Sequence, residues 1–261
     1  MRRRRWVHPV AAAGFSSAAD VYERARPTYP DEAVRWIEAR GGLGPGRTVV
    51  DLGAGTGKFT RLLVDSGARV VAVEPLDEMR AKLVEVVAGV EAIDGTAEDL
   101  PLPDGSADVI TCAQAFHWFD LDRALPELGR VLAEDGLLVL IWNTRDLDDE
   151  LQVALEDVLA PFRGFVAGQV DEEWRAAVDA SPYFGPVERR SFQLEQLVTG
   201  DDVVDRVAST SFVAAMDPVS RDVVLANVRA LVVGRAEPFA FPYSTEVFAI
   251  PRTGSGVPRT S

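Results

Sequence analysis

The sequence predicts an α/β fold, a doubly wound and mainly parallel sheet of seven strands whose last strand runs antiparallel. Three observations carry that expectation. Short apolar strand signals alternate with amphipathic helix signals from about residue 48 to residue 142, which implies parallel strands joined by right-handed crossovers with helices on both faces. The first strand ends in an acid, Asp51, and enters a glycine-rich turn before a helix. Two further strand signals, separated by helical material, end the chain and are placed to pair at the sheet edge, one of them antiparallel.

Taken in order, Asp31 is expected to cap a helix with Val34, Trp36 and Ile37 on its apolar face and Gly41-Gly42 as its stop. Strands are expected at residues 48–51, 69–74, 90–94, 107–112 and 137–142, each short, apolar and bounded by Gly, Pro or Asp, as strands buried on both faces are. Helices are expected between them at 57–66, 76–87 and 121–133. The pattern then changes. Helices at 148–159 and 171–179 flank Pro161 and Gly164, residues 187–197 alternate like a strand, helices follow at 201–208 and 220–233, and a last strand at 243–250. The expected organisation is one domain over residues 14–252 with an N-terminal helical lid, helical insertions at about 146–186 and 200–235, and flexible tails at 1–13 and 253–261.

Composition narrows the function. The 261 residues carry 41 acidic against 27 basic side chains, a net charge of −14. Four of the basic residues are Arg2 to Arg5, so the remaining chain is more acidic still. Such a body repels phosphate backbones and anionic lipid, so no nucleic-acid or membrane partner is expected. One cysteine, Cys112, and two histidines, His8 and His117, give neither a disulfide nor a multi-thiolate zinc site, and no metal is expected. No apolar run approaches the roughly 18 residues of a membrane span, and His8 and Pro9 interrupt the segment that imitates a signal peptide. A cytoplasmic protein is expected.

The informative segment is Asp51-Leu52-Gly53-Ala54-Gly55-Thr56-Gly57-Lys58. A strand ending in an acid and a glycine turn before a helix suits a nucleotide-like ligand at the carboxyl edge of a parallel sheet. A dinucleotide fingerprint would need a third glycine where Lys58 stands, and a P-loop would need Gly at Leu52 and Ser or Thr at Phe59. Glu74 ends the second strand about 20 residues past Gly53, where an acid can accept hydrogen bonds from both ribose hydroxyls.

With these residues the chain resembles the class I S-adenosylmethionine-dependent methyltransferases, whose first motif reads D-x-G-x-G-x-G, and its fold is then expected to be Rossmann-like. The resemblance implies S-adenosyl-L-methionine as cofactor, with Asp51 facing the methionine ammonium, Gly53, Ala54, Gly55, Thr56 and Gly57 against the ligand, and Glu74, Pro75 and Met79 on the ribose side. It implies an adenine turn at Thr96, Ala97 and Glu98, and a methionine-side segment at Gln114 and Ala115 continuing to His117 and Trp118. Residues 22–30, Tyr-Glu-Arg-Ala-Arg-Pro-Thr-Tyr-Pro, resemble the entry motif of the small-molecule branch that includes trans-aconitate and ubiquinone/menaquinone-type enzymes, which makes Tyr22, Arg26 and Tyr29 substrate or lid residues.

Plainer readings stand beside several of these. Asp51 can be a helix-capping or structural acid, but burying it near the sheet edge without a partner would be costly, which favours a cationic ligand group. Thr96 and Asp99 also stand in the S/T-x-x-[DE] relation of a helix cap. Trp118 and Phe119 can be core, and His117 can be a packed imidazole rather than a catalytic base. The expected activity is transfer of a methyl group from S-adenosylmethionine to a small-molecule oxygen or carbon acceptor by direct displacement. The alternatives are a protein that keeps the cofactor pocket without transferring methyl, and a nicotinamide-dependent oxidoreductase.

Overall fold

The computed structural model describes residues 26–162 and 166–253. Tyr22, the basic tail at 1–13 and the end of the C-terminal tail lie outside the described residues. The elements run α1 (Asp31–Gly41), β1 (Thr48–Leu52), α2 (Thr60–Val64), β2 (Arg69–Val73), α3 (Asp77–Val86), β3 (Glu91–Ile93), β4 (Ala107–Ala113), α4 (Leu121–Val131), β5 (Leu132–Arg145), α5 (Glu150–Leu159), α6 (Val166–Ala180), β6 (Glu188–Val198), α7 (Gly200–Ala208), α8 (Ser211–Ala214), α9 (Pro218–Val232) and β7 (Phe239–Pro251).

The strands form one seven-stranded sheet in the order β3-β2-β1-β4-β5-β7-β6. β3, β2, β1, β4 and β5 pair in parallel, and β7 runs antiparallel between β5 and β6. This is the Rossmann-like methyltransferase arrangement expected from the sequence. From β1 the chain winds outward through β2 and β3, then returns to β4 on the other side. The crevice between the carboxyl ends of β1 and β4 is therefore the topological switch point, where open α/β sheets hold ligands.

Alternation along β1 explains the layers. Val50 and Leu52 point to one face, joining Val71, Ile110, Leu138 and Leu140 beneath α4 and α6. Val49 points to the other and packs with Val70, Val109 and Val139 against Ile37 of α1 and Leu63 of α2. Each such fully buried aliphatic side chain contributes about 1.5–3 kcal/mol. Of the helices inserted after β5 and β6, α5, α7 and α9 have a separate core, built from Leu155 of α5, Val203 and Val207 of α7, and Val224 and Val228 of α9, resting on Phe241 and Tyr243 of β7.

Several expected boundaries shift for identifiable reasons. Asp31 is the first residue of α1 rather than its cap: Pro30, extended at ψ 137°, occupies that position, and its carbonyl accepts from Ala33 and Val34. The Asp31 carboxylate instead stands in the positive first turn. Gly42, at φ 59°, ends the helix as expected. α4 stops at Val131 because Leu132 already pairs with Ala107, and the register shifts before Leu137 pairs with Val109. α5 is capped by Asp149, α7 by a reciprocal Thr199–Asp202 box and α9 by Asp217. The expected starts of these three helices, at 148, 201 and 220, differ from the observed ones by one or two residues. Among the described residues, no helix is long and apolar enough to cross a membrane.

Candidate active site

The glycine-rich turn leaves β1 and is fastened to the neighbouring strand. Gly53 and Ala54 donate their N–H groups to the Val73 carbonyl at 2.9 and 3.2 Å. Gly55 donates to Glu74 Oε2 at 2.9 Å, and Leu76 donates to Glu74 Oε1 at 2.9 Å. The Glu74 carboxylate thus joins the turn to the start of α3. Burial pushes its carboxyl up from 4.5 to about 7; the two backbone donors and Arg80 oppose the rise, and the negative charge of Asp51 adds to it.

Gly53, Gly55 and Gly57 all have positive φ, 68°, 58° and 84°, which favours glycine at each. Their surroundings differ. A Cβ on Gly53 would lie 2.6 Å from Ala115 Cβ, and one on Gly57 would lie 2.8 Å from Val87 Cγ2 and 2.9 Å from Leu83 Cγ. A Cβ on Gly55 would meet nothing within 4 Å. Gly53 and Gly57 let the turn pack against protein, and Gly55 opens onto free space.

Asp51 is buried, and burial raises its carboxyl from 3.8 to about 6. Its partners are two hydroxyls, Thr60 Oγ1 at 2.6 Å and Thr111 Oγ1 at 3.0 Å. α2 and β4 thus supply donors to the carboxylate whose burial the sequence reading took to favour a cationic ligand group.

Opposite the turn, Gln114 follows β4 with φ 58°, a left-handed conformation that only a firmly held non-glycine residue adopts. Its N–H bonds the Ile141 carbonyl at 2.9 Å and its Nε2 the Asn143 carbonyl at 3.2 Å. Asn143, near the end of β5, donates to the Thr28 carbonyl at 2.8 Å and accepts from Thr245 Oγ1 at 2.6 Å. The segment before α1 is pinned at three further points. Lys58 Nζ donates to the Arg26 carbonyl at 2.7 Å, Arg26 Nη2 donates to the Ser209 carbonyl at 2.8 Å, and Tyr29 packs edge-on against Phe59 with ring centres 5.0 Å apart.

These elements bound a cleft that is partly open to solvent, at the switch point where open α/β sheets hold ligands. Of the residues expected at the site, Arg26, Tyr29, Asp51, Gly53, Ala54, Gly55, Thr56 and Gln114 line it. Glu74 stands behind Gly55, and Pro75 and the buried Met79 follow β2 at the same sheet edge. Thr96, Ala97 and Glu98 follow β3. No helix begins there, so the cap reading of Thr96 and Asp99 is corrected: the Asp99 N–H bonds the Thr96 carbonyl in a tight turn. Glu98 Oε1 accepts from Asp120 N at 2.9 Å, and Ala97 is core. Ala115 packs under Gly53. His117 and Trp118 lie in a single 3-10 turn with ring centres 4.6 Å apart, outside the lining of the cleft.

Sequence reasoning missed Lys58, Phe59, Asn143 and Arg206, which also line the cleft. Asn143 had a usable signal, since it stands at the carboxyl end of the fifth strand as Gln114 does at the fourth. Arg206 comes from an inserted helix and had none.

Residues 50–140, the stretch from β1 into β5 that carries this turn, match a family model described as a methyltransferase domain. An uncharacterized methyltransferase of Mycobacterium bovis is 38% identical over 236 residues, which is 88% of this chain and 92% of the relative. Among solved structures, a putative type II methyltransferase from Anaeromyxobacter dehalogenans is 25% identical with a TM-score of 0.66, over 90% of this chain and 99% of that one. A Haemonchus contortus enzyme solved with phosphomonomethylethanolamine and S-adenosylhomocysteine, 15% identical, shares the fold alone, with a TM-score of 0.57 over 95% of this chain and 60% of that one. The chain belongs to the class I S-adenosylmethionine-dependent methyltransferases.

Proposed function

We propose that the chain binds S-adenosyl-L-methionine in the cleft between β1 and β4 and transfers its methyl group to a small-molecule acceptor, at oxygen or carbon. The observation that carries this reading is the pairing of Gly55 with Glu74: a left-handed glycine opening onto free space, its turn held by a buried carboxylate. The residues present fit the cofactor. Open space at Gly55 admits close backbone approach. Each Glu74 oxygen accepts one backbone N–H and has a further lone pair for a ribose hydroxyl. Asp51 supplies a buried carboxylate on the methionine side.

The bound cofactor supplies a methyl group already activated by the sulfonium charge. What remains for the chain is to position the acceptor in line and to keep water out. Tyr29, Arg26 and Asn143, which hold the segment before α1 against the cleft, serve the second task in this reading. The acidic net charge supports a small-molecule acceptor over a nucleic acid or membrane, and the lone buried thiol, Cys112, is consistent with a cytoplasmic setting.

Thermal melts test the reading. S-adenosylmethionine and S-adenosylhomocysteine at about 100 times their dissociation constants should stabilise the protein by about 2.7 kcal/mol, and NAD should not. A shift with NAD and none with either sulfur nucleoside would overturn it.

A further inference from the structure

We propose that Arg206 is a carboxylate-binding residue of the cleft, an assignment that rests on the methyltransferase reading and extends it to the charge of what the site holds. α7 is set in place by its Thr199–Asp202 cap and by the burial of Val203, Val204 and Val207. That leaves Arg206 on the side of the helix that meets two openings at once. It lines the cofactor cleft, and it lines a second cleft bounded by Leu197, Val198, Phe241 and Tyr243. Its guanidinium carbon lies 6.0 Å from the centre of the Tyr243 ring.

The nitrogens define the chemistry. Nε and Nη1 of Arg206 are buried and have no hydrogen-bond partner among the described residues. A charged donor withdrawn from water with no acceptor is unfavourable, so the arrangement is complete only when an acceptor joins it. The acids in the two linings are already engaged. Asp202 accepts from Thr199 N and Thr199 Oγ1 at 2.8 and 2.7 Å, and Asp51 accepts from Thr60 and Thr111. Arg26 and Lys58, the other cations of the cleft, donate to the carbonyls of Ser209 and Arg26. Three cationic side chains thus face one carboxylate in the lining of a cleft on a chain of net charge −14. That local reversal of sign favours an anionic group. The planar fork of a guanidinium matches a carboxylate bidentately.

Two carboxylates can take the place: the one on the cofactor's methionine moiety and one on the methyl acceptor. Calorimetry on the full chain separates them. S-adenosylhomocysteine and 5′-methylthioadenosine, the same nucleoside thioether without the amino-acid group, are titrated into wild type, Arg206→Gln and Arg206→Lys. Succinate is then titrated into each protein, with and without S-adenosylhomocysteine. If the cofactor's carboxylate sits on Arg206, Arg206→Gln weakens S-adenosylhomocysteine at least tenfold and leaves methylthioadenosine unchanged, and Arg206→Lys recovers part of the loss. If the acceptor's does, S-adenosylhomocysteine binds Arg206→Gln as it binds wild type, and succinate binding is lost. Equal weakening of both nucleosides, or no change with any ligand, overturns the proposal. Wild type that fails to bind S-adenosylhomocysteine overturns the methyltransferase reading instead, and succinate binding to wild type and not to Arg206→Gln still decides the role of Arg206.

Discussion

The Gly55 N–H donates to the Glu74 carboxylate across 2.9 Å, so the glycine-rich turn after β1 and the acid after β2 are one hydrogen-bonded unit. In a sequence comparison these are two separate motifs. In the fold, losing the acid disturbs the turn that faces the ligand. Glu74→Ala removes a charged acceptor and strands the donors of Gly55 and Leu76. The expected outcome is S-adenosylhomocysteine binding weaker by about 1.5–3 kcal/mol, roughly 10- to 150-fold, with a lower melting temperature. Glu74→Gln, which keeps an acceptor oxygen, should lose less. Calorimetry on variants checked for folding by circular dichroism decides it, and unchanged affinity in Glu74→Ala would put the ribose elsewhere.

The same two acids impose a pH dependence. Burial is the main cause of both rises, Asp51 from 3.8 to about 6 and Glu74 from 4.5 to about 7. Between about pH 4 and pH 7 the folded chain therefore holds protons at these sites that the unfolded chain has released. Their contribution to stability is present in full below pH 4 and is lost as pH rises through 6 and 7. Asp51→Asn, which does not titrate, should flatten that decline between pH 4 and 6. Melting curves of wild type and variant across pH 4 to 8 measure it, and parallel curves would show that Asp51 is ionised throughout.

The three glycines should separate by what surrounds them. Gly57→Ala forces a Cβ at φ 84° against Val87 and Leu83. It should cost more than the roughly 1–2 kcal/mol that left-handed backbone alone costs a non-glycine residue. Gly55→Ala carries the same backbone cost but meets no protein atom. It should fold, and it should bind S-adenosylhomocysteine at least tenfold more weakly, because its methyl group enters the ligand's space. Urea denaturation and calorimetry on the pair give the comparison. A Gly55→Ala protein with full affinity would show that the turn does not touch the ligand.

How far the sequence could be read follows a physical line. The sheet and its switch point were legible because buried parallel strands are continuous apolar runs, and the Gly53-Gly55-Gly57 turn because its backbone demands a residue type. Partners across space were not. Thr60 and Thr111 as the donors to Asp51, and Asn143 as the link between Thr28 and Thr245, depend on which elements become neighbours. A one-dimensional pattern does not carry that. Arg206 is the extreme case, because its place is set by the packing of an inserted helix against β7.

Asn143 supports a prediction about the segment before α1. Its amide joins the Thr28 carbonyl to β7, and Tyr29, 7% exposed, seals Phe59. Deleting residues 1–13 should leave folding and cofactor binding intact. Deleting residues 1–30 removes Tyr29 and the Arg26 contacts and should abolish binding. Asn143→Ala, which leaves the chain whole, should speed limited proteolysis ahead of Asp31 and weaken S-adenosylhomocysteine severalfold. Normal affinity in the protein lacking residues 1–30 would remove the lid from the account.

His117 offers the sharpest choice between packing and chemistry. Its ring lies 4.6 Å from that of Trp118 in a turn beyond the carboxyl end of β4, and it does not line the cleft between β1 and β4. Displacement at a sulfonium methyl runs on proximity unless the acceptor must lose a proton. His117→Ala should therefore leave S-adenosylhomocysteine affinity within about twofold of wild type. It should lower turnover on the order of tenfold through substrate positioning, short of the roughly 10²- to 10⁴-fold that loss of a general base costs. The pH profile gives an independent readout. A catalytic imidazole would make wild-type activity fall below about pH 6.5, and the variant would lack that limb. Equal acidic limbs in both proteins are the expected result. A loss above about 10²-fold, with the limb abolished and cofactor affinity unchanged, would make His117 the base.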